Sequence, residues 1–231
     1  MARSRRQDAG LLVLRAGTGG VLFAHGAQIL FGWFGGPGLG RVFRIFVDQA
    51  ASSDAVHRKA EYLARTGSYS RDATTQRGAV AGGAAPRRSE RHGLTAASVG
   101  MERMGFRPGR PSALLAGGSQ LAGGTLLAAG LATPVAGAVA AGAMAGAVAV
   151  HTPGGFFSVS GGYEFPALLG WTAAALGIAG PGRYSADHLT GHRLNRPRTA
   201  RLAFLATAAL TAAVLRRRAA RLPHGPEEPT P

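Results

Sequence analysis

The stretch that decides the fold is AHGAQILFGWFGGPGLG, residues 24–40, which closes the first long apolar run of the chain. The run extends from Leu11 to Phe34, and at about 1.5 Å per residue it can cross a hydrocarbon core of roughly 30 Å. Trp33 and its aromatic neighbours mark the edge of the run, and a Gly/Pro turn follows. A membrane-spanning helix leaves the bilayer in this way, so the stretch predicts an integral membrane protein.

Three further apolar runs follow, and with the first they predict an all-α, integral membrane four-helix bundle. The predicted spans are residues 11–34, 112–132, 134–150 and 163–179. A fifth, Ala-rich run at 202–215 is too short for a normal span, so it predicts a short C-terminal helix that is interfacial or partly inserted. Residues 1–10 form a basic N-terminal flank and residues 189–231 a basic C-terminal extension. Residues 41–93 form a long polar insertion that we expect to be disordered.

The chain is strongly basic, with a formal charge of +15 over 231 residues and Lys59 as its only lysine. The arginines lie in tails and loops between apolar runs, which predicts contact with an anionic lipid surface and no nucleic-acid binding. The absence of cysteine excludes disulfides, thiolate nucleophiles and cysteine-ligated metal clusters.

Charges in the short flanks predict the orientation of the four spans, with both termini in the cytoplasm. Runs one and three then end at the outer leaflet, and runs two and four begin there. The sparse polar residues of the four runs therefore come to a similar level. Six of them are candidate ligand-binding residues: His25, Gln28, Gln120, His151, Tyr163 and Glu164.

Each candidate has a functional and a structural interpretation. Polar residues within a membrane are costly and are candidates for function by default, but they also form hydrogen bonds that hold helices together. Glu164 can pair with His25 or His151, or it can simply favour the start of its helix. Arg15 and Trp33 are predicted membrane anchors. Asp187, His188 and His192 have helical ligand spacing, but they lie in a polar segment, and we predict no metal site.

Residue spacing also predicts which helix faces are buried. In run one, a small and polar stripe should face other helices, with Leu22, Phe23 and Leu30 nearer lipid; the stripe is Leu14, Gly17, Thr18, Val21, Ala24, His25 and Gln28. In run two, small residues share one face with Gln120, which should let another helix approach closely; they are Ala113, Gly117, Gly124 and Ala128.

Four segments carry a resemblance to a known family: LRAGTGGVLFAHGAQILFGWFGGPG, ALLAGGSQLAGGTLLAAGLATP, VHTPGGFFSVSGGYEFP and GPGRYSADH. As a set they resemble the DoxX family of small bacterial membrane proteins. The resemblance implies a multi-pass, four-helix protein of the bacterial cytoplasmic membrane. It also implies links to membrane redox chemistry, because relatives are subunits of a thiosulfate:quinone oxidoreductase or partners in oxidative-stress complexes. Ile29 stands where the family usually has a Lys, and Gln120 where it has an acid.

The leading functional hypothesis is an accessory membrane subunit with no catalytic activity of its own. It would bind a quinone or another small hydrophobic ligand, or a redox protein partner, near the outer leaflet, alone or as a homo-oligomer. Two alternatives stay open. The Gly/Ala-rich runs two and three also suit a small-molecule transporter, and the Arg-rich loop suits a structural protein that docks partners.

Overall fold

The computed structural model describes residues 4–34 and 93–222. Most of the predicted insertion and the end of the C-terminal extension lie outside these residues. The described residues form helices and no strands, which confirms the all-α class. The helices are α1 (Arg5–Phe31), α2 (Leu94–Arg103), α3 (Gly109–Ala129), α4 (Thr133–His151), α5 (Glu164–Ala179), the short α6 (Ala186–Leu189) and α7 (Pro197–Ala219).

Local sequence signals set the helix ends. Ser4 and Gln7 form a reciprocal capping box that begins α1, and Gly32 ends α1 in the left-handed conformation with φ 71°. Gly130 ends α3 in the same way. Proline lies in the first turn of both α4 and α7, where its missing N–H costs no helical hydrogen bond.

Helices α1 and α3 meet backbone to backbone through glycines. A Cβ added at Gly26 would lie 2.7 Å from the carbonyl oxygen of Gly117, and a Cβ added at Gly124 would lie 2.6 Å from the backbone nitrogen of Phe23. Such contact requires residues without side chains. The predicted small face of run two is therefore confirmed, and Gln120 lies on it with 7% of its surface exposed.

The predicted face of α1 is wrong. Leu22, which we placed nearer lipid, is completely buried, whereas His25 and Leu14 are exposed. The buried side of α1 instead carries Asp8, Arg15, Thr18, Gly19, Leu22, Gly26, Ala27 and Ile29. Small and apolar residues occur all round α1, so composition alone does not select a face. Backbone contact with α3 and a buried partner for Arg15 select it.

The apolar core lies where α1, α3, α4 and α5 converge. Leu22 and Leu127 are its completely buried leucines, and the remaining members are Ala136, Ala140, Met144, Leu169, Ala173 and Leu176. Helix α7 packs outside this core and has no buried residue. It approaches α4 where Thr207 and Thr211 meet Gly142, a position at which a Cβ would collide with Thr207.

The C-terminal helix corrects the expectation for residues 202–215. Its 23 residues extend about 34 Å, because the flanking residues 197–201 and 216–219 continue the helix. It begins close to the N-terminal part of α1, where Gly182 and Arg183 contact Asp8, and ends beside α2, where Arg218 bonds to Met104. The start of α1 and the end of α7 therefore lie at opposite ends of the bundle. The cytoplasmic position of both termini stays a prediction.

Two helical stretches in the described ranges are long and apolar enough to cross a membrane: Thr133–Gly154 and Pro197–Ala219. Helix α5 is apolar but shorter, with 16 residues. Helices α1 and α3 have the length, with 27 and 21 residues, but are less apolar because glycine and polar residues interrupt them.

Candidate ligand-binding site

We call the two ends of the bundle the Arg15 end and the His151 end. The Arg15 end contains the starts of α1, α4 and α7 and the ends of α3 and α5. The His151 end contains the end of α1, all of α2, the start of α3, and the ends of α4 and α7. These positions follow from the contacts of Asp8 with Arg183, of Gly93 with Leu30, and of Arg218 with Met104.

A cavity with a volume of about 460 Å³ lies towards the His151 end. Helices α3, α4 and α7 form its long walls, and the segment that follows α2 contributes Met104 and Phe106. Its lining is mostly apolar, with Val139, Ala143, Ala147, Val150, Leu115, Leu210, Val214 and Leu215 among the contributors. Its size and lining are typical of sites for small hydrophobic ligands.

Two of the six candidate residues line this cavity, Gln120 and His151. Gln120 is buried in the middle of α3, and its Nε2 donates a 3.3 Å hydrogen bond to the carbonyl oxygen of Ala116. Its side-chain oxygen can accept a hydrogen bond. Hydroxyl groups of Ser112, Ser119, Thr207 and Thr211 add a few more polar atoms to the lining.

His151 joins the cavity to the loop after α4. Its Nδ1 lies 3.0 Å from the carbonyl oxygen of Gly161, so the ring holds the loop against the helix end. The loop is ordered further by Glu164, whose Oε2 accepts a 3.1 Å hydrogen bond from the backbone N–H of Ser158. Tyr163 packs edge-on against Phe156, with ring centroids 5.5 Å apart. Tyr163 and Glu164 thus stabilise the loop rather than line the cavity.

His25 and Gln28 lie outside the cavity lining. The His25 ring is exposed and sits 6.0 Å from the ring of Phe165, measured between centroids. Gln28 is half-buried, and its backbone carbonyl accepts the hydrogen bond that ends α1. Ligand binding by His25, Gln28, Tyr163 and Glu164 stays a prediction, and so does the pairing of Glu164 with a histidine.

Four arginines line the same cavity near the His151 end: Arg107, Arg217, Arg218 and Arg221. Sequence reasoning placed the last three in a basic flank and gave them no site. The signal that could have found them is the continuation of the helix through Arg216–Arg218. Because α7 continues to Ala219, one side of its last turns faces α3 and α4.

Sequence reasoning also missed a buried polar cluster at the Arg15 end. Arg15 is completely buried, and one guanidinium nitrogen donates to the carbonyl oxygen of Tyr184. Asp187 is close enough to act electrostatically on Arg15. The Asp187 carboxylate accepts hydrogen bonds from Ala132 N, Thr133 N and Thr133 Oγ1, at 2.9, 3.0 and 3.1 Å. Asp187 therefore caps α4 and links it to α1.

This cluster corrects the prediction that Arg15 is a membrane anchor. Its side chain points into the bundle and is covered by Gly130, where any Cβ would collide with Nη1. Arg15 therefore does not reach the lipid headgroups. Trp33, by contrast, is about half exposed at the end of α1 and stacks near Phe31, and its anchoring function stays a prediction.

The polar segment after α5 adds a second, smaller cavity of about 390 Å³ at the Arg15 end. Arg5, Asp8, Arg183, His188 and His192 are among its lining residues. His188 Nδ1 lies 3.2 Å from His192 Nε2, while Asp187 points away to cap α4. Within residues 4–34 and 93–222, no group of three or more His, Asp or Glu side chains is placed to hold a metal ion.

Large apolar side chains on the outside of the bundle indicate its environment. Trp171 and Ile178 of α5 are 79% and 75% exposed, and Leu205 of α7 is 68% exposed. Val13 and Leu14 of α1 are exposed as well. Soluble monomers rarely expose so much apolar surface, and together with the two span-length helices it indicates an all-helical membrane protein.

Comparison with family models finds a match to part of the chain. The DoxX family model matches residues 83–153, less than half of the 231 residues, which confirms the resemblance over that stretch. The match covers α2, α3 and α4, including Gln120 and His151, and stops before α5 and α7. No curated protein and no solved structure matches the chain.

Proposed function

We propose that this protein is an accessory membrane subunit that binds one small hydrophobic molecule in the cavity between α3, α4 and α7. The observation that carries the proposal is the cavity of about 460 Å³, apolar along its walls and furnished with a few polar groups. A lipid-like molecule or a quinone matches this lining. The resemblance to redox-linked relatives favours an association with quinone-linked chemistry in the bacterial cytoplasmic membrane.

A non-catalytic role agrees with the chemistry that the cavity walls offer. Gln120, Ser119 and the threonines of α7 can orient a carbonyl or hydroxyl group. His151 also lines the cavity, but its Nδ1 is engaged by the carbonyl oxygen of Gly161. Binding and presentation of a ligand to a redox protein partner is the activity that such groups support best. Transport of a small molecule is the alternative, and solute flux into proteoliposomes would favour it.

Filling the cavity should abolish ligand binding without unfolding the protein. Gly146 lines the cavity, and a Cβ added there meets nothing within 4 Å. We therefore expect Gly146→Phe to leave the folded yield unchanged and to eliminate the stoichiometric small molecule seen by mass spectrometry of protein purified in mild detergent. Ala145→Phe is the matched control, because Ala145 is exposed on the same helix and absent from the lining. Equal ligand content in wild type and Gly146→Phe would contradict the proposal.

We further propose that α7 crosses the membrane with the other long helices. Its length, its exposed leucines and its course along the whole bundle support this arrangement. Helices α1, α3, α4, α5 and α7 then make five crossings. The start of α1 and the end of α7 therefore lie on opposite sides of the membrane.

Single cysteines can test this topology, because the sequence contains none. Gln7→Cys and Ala220→Cys place thiols at exposed positions at the two ends. A membrane-impermeant maleimide should label one of them on intact spheroplasts and the other only after permeabilisation. Labelling of both from the same side would return α7 to an interfacial position and restore the four-span arrangement.

A further inference from the structure

Among the described residues, the charged side chains that line the α3–α4–α7 cavity are all of one sign. Four arginines line it, and no Asp or Glu of residues 4–34 and 93–222 does. The arginines gather where α7 ends and where residue 107 precedes α3, so the charge is concentrated at one end of an otherwise apolar space. Like charges held this closely repel each other, and a bound anion would relieve that repulsion.

Two of these arginines are held in place by the protein. Arg218 Nε donates a 3.0 Å hydrogen bond to the carbonyl oxygen of Met104, and its guanidinium lies 5.3 Å from the centre of the Phe106 ring. Arg221 Nη1 donates to the carbonyl oxygen of Arg107. Each guanidinium has five N–H donors, so both keep donors to spare. Such preorganisation lowers the entropy cost of binding a carboxylate or phosphate.

We call the four lining arginines, Arg107, Arg217, Arg218 and Arg221, the basic rim. The side chain of Arg217 is exposed and makes no hydrogen bond with the described residues, so all donors of its guanidinium are available. Its neighbour Arg216 carries the same charge on the same turn of α7 but does not line the cavity. A planar guanidinium binds carboxylate and phosphate oxygens in pairs, which makes Arg217 and Arg221 the best-placed anion ligands.

The apolar part of the cavity has the dimensions of one extended chain. Its α4 wall runs from Val139 to Val150, a distance of about 16 Å along the helix axis. The cavity volume of about 460 Å³ lies in the range of sites that hold one small ligand. Together with the length of the apolar α4 wall, it suits a single acyl chain.

We infer that the ligand of this cavity is a single-chain anionic amphiphile, with its carboxylate or phosphate at Arg217 and Arg221 and its chain along α4 towards Gln120. This inference rests on the proposed function, because it names the chemical class of the molecule bound there. An anionic amphiphile differs here from a neutral quinone, which has no charge for the basic rim to bind.

The test compares probes that differ only in their headgroup. Purified full-length protein in a neutral maltoside detergent is titrated with radiolabelled oleate, with 1-oleoyl-lysophosphatidylglycerol and with oleyl alcohol, which has the same chain and no charge. We expect oleate or the lysolipid to bind at least roughly tenfold more tightly than the alcohol. The tighter of the two anions identifies a carboxylate or a phosphate headgroup. We also expect affinity for the anion to fall as salt is raised.

Substitutions at the rim locate the charge recognition. The double variant Arg217→Gln with Arg221→Gln should lose roughly tenfold or more in affinity for the anion and bind oleyl alcohol as the wild type does. Arg216→Gln is the matched control and should bind like wild type.

Equal affinity for oleate and oleyl alcohol would overturn the inference and leave the proposed function intact. An equal loss in Arg216→Gln, or full competition by inorganic phosphate alone, would also overturn it. Binding of none of the probes, with no ligand co-purifying, would overturn the proposed function itself.

Discussion

Asp187→Ala is expected to destabilise the protein by about 3–5 kcal/mol, the range measured when one partner of a buried charge pair is removed. The carboxylate is completely buried and accepts three hydrogen bonds at the start of α4, from the backbone of residues 132 and 133 and from the Thr133 hydroxyl. Its removal leaves these donors without an acceptor. It also leaves the buried Arg15 guanidinium, whose Nε and Nη1 have no hydrogen-bond partner in the described structure, without the nearby carboxylate.

The measurement is unfolding of the detergent-solubilised protein by sodium dodecyl sulfate in mixed micelles. Asp187→Asn should lose less stability than Asp187→Ala, because the amide keeps one acceptor oxygen. Arg15→Met should restore part of the loss when added to Asp187→Ala, since it removes the uncompensated charge. Arg183→Met, at an exposed neighbouring arginine, should stay within about 0.5 kcal/mol of wild type. Additive effects of Arg15→Met and Asp187→Ala would show that the two residues are not coupled.

The position of Asp187 shows why sequence reasoning found the helices and missed this cluster. Apolar runs and Gly/Pro breaks are local signals, and they placed three of the four predicted spans within about three residues of α3, α4 and α5. Arg15 and Tyr184, by contrast, are 169 residues apart in the chain. An arginine near the start of an apolar run looks like an anchor until the loop that covers it is known.

The C-terminal helix illustrates a second limit of hydropathy. The apolar run stops at Leu215, so hydropathy alone gives a short element, yet arginines are good helix formers and the helix continues to Ala219. The extra turns carry Arg217 and Arg218 to the cavity. Of the six candidate residues, Gln120 was recognised as buried because it shares a face with small residues. The exposure of His25 depends on how α1 rotates against α3, which its evenly distributed composition does not determine.

The glycines that set this rotation should be among the least replaceable residues of the bundle. Gly26→Val is expected to cost about 3 kcal/mol or more, above the usual range for overpacked cores, because the new side chain would meet backbone and not a movable side chain. A Cβ at Gly26 would lie 2.7 Å from both the Gly117 oxygen and the Leu121 Cα, so α1 and α3 would have to separate.

Gly20→Val provides the matched control on the same helix. A Cβ at Gly20 meets nothing within 4 Å, and the intrinsic helix propensity changes in the same way in both variants. Unfolding in mixed micelles should therefore distinguish them, with Gly20→Val close to wild type. Ile29 lies one turn beyond Gly26 and lines the ligand cavity, so separation of α1 from α3 should also weaken binding of the anionic amphiphile. Equal stability of the two variants would mean that α1 and α3 do not pack through Gly26.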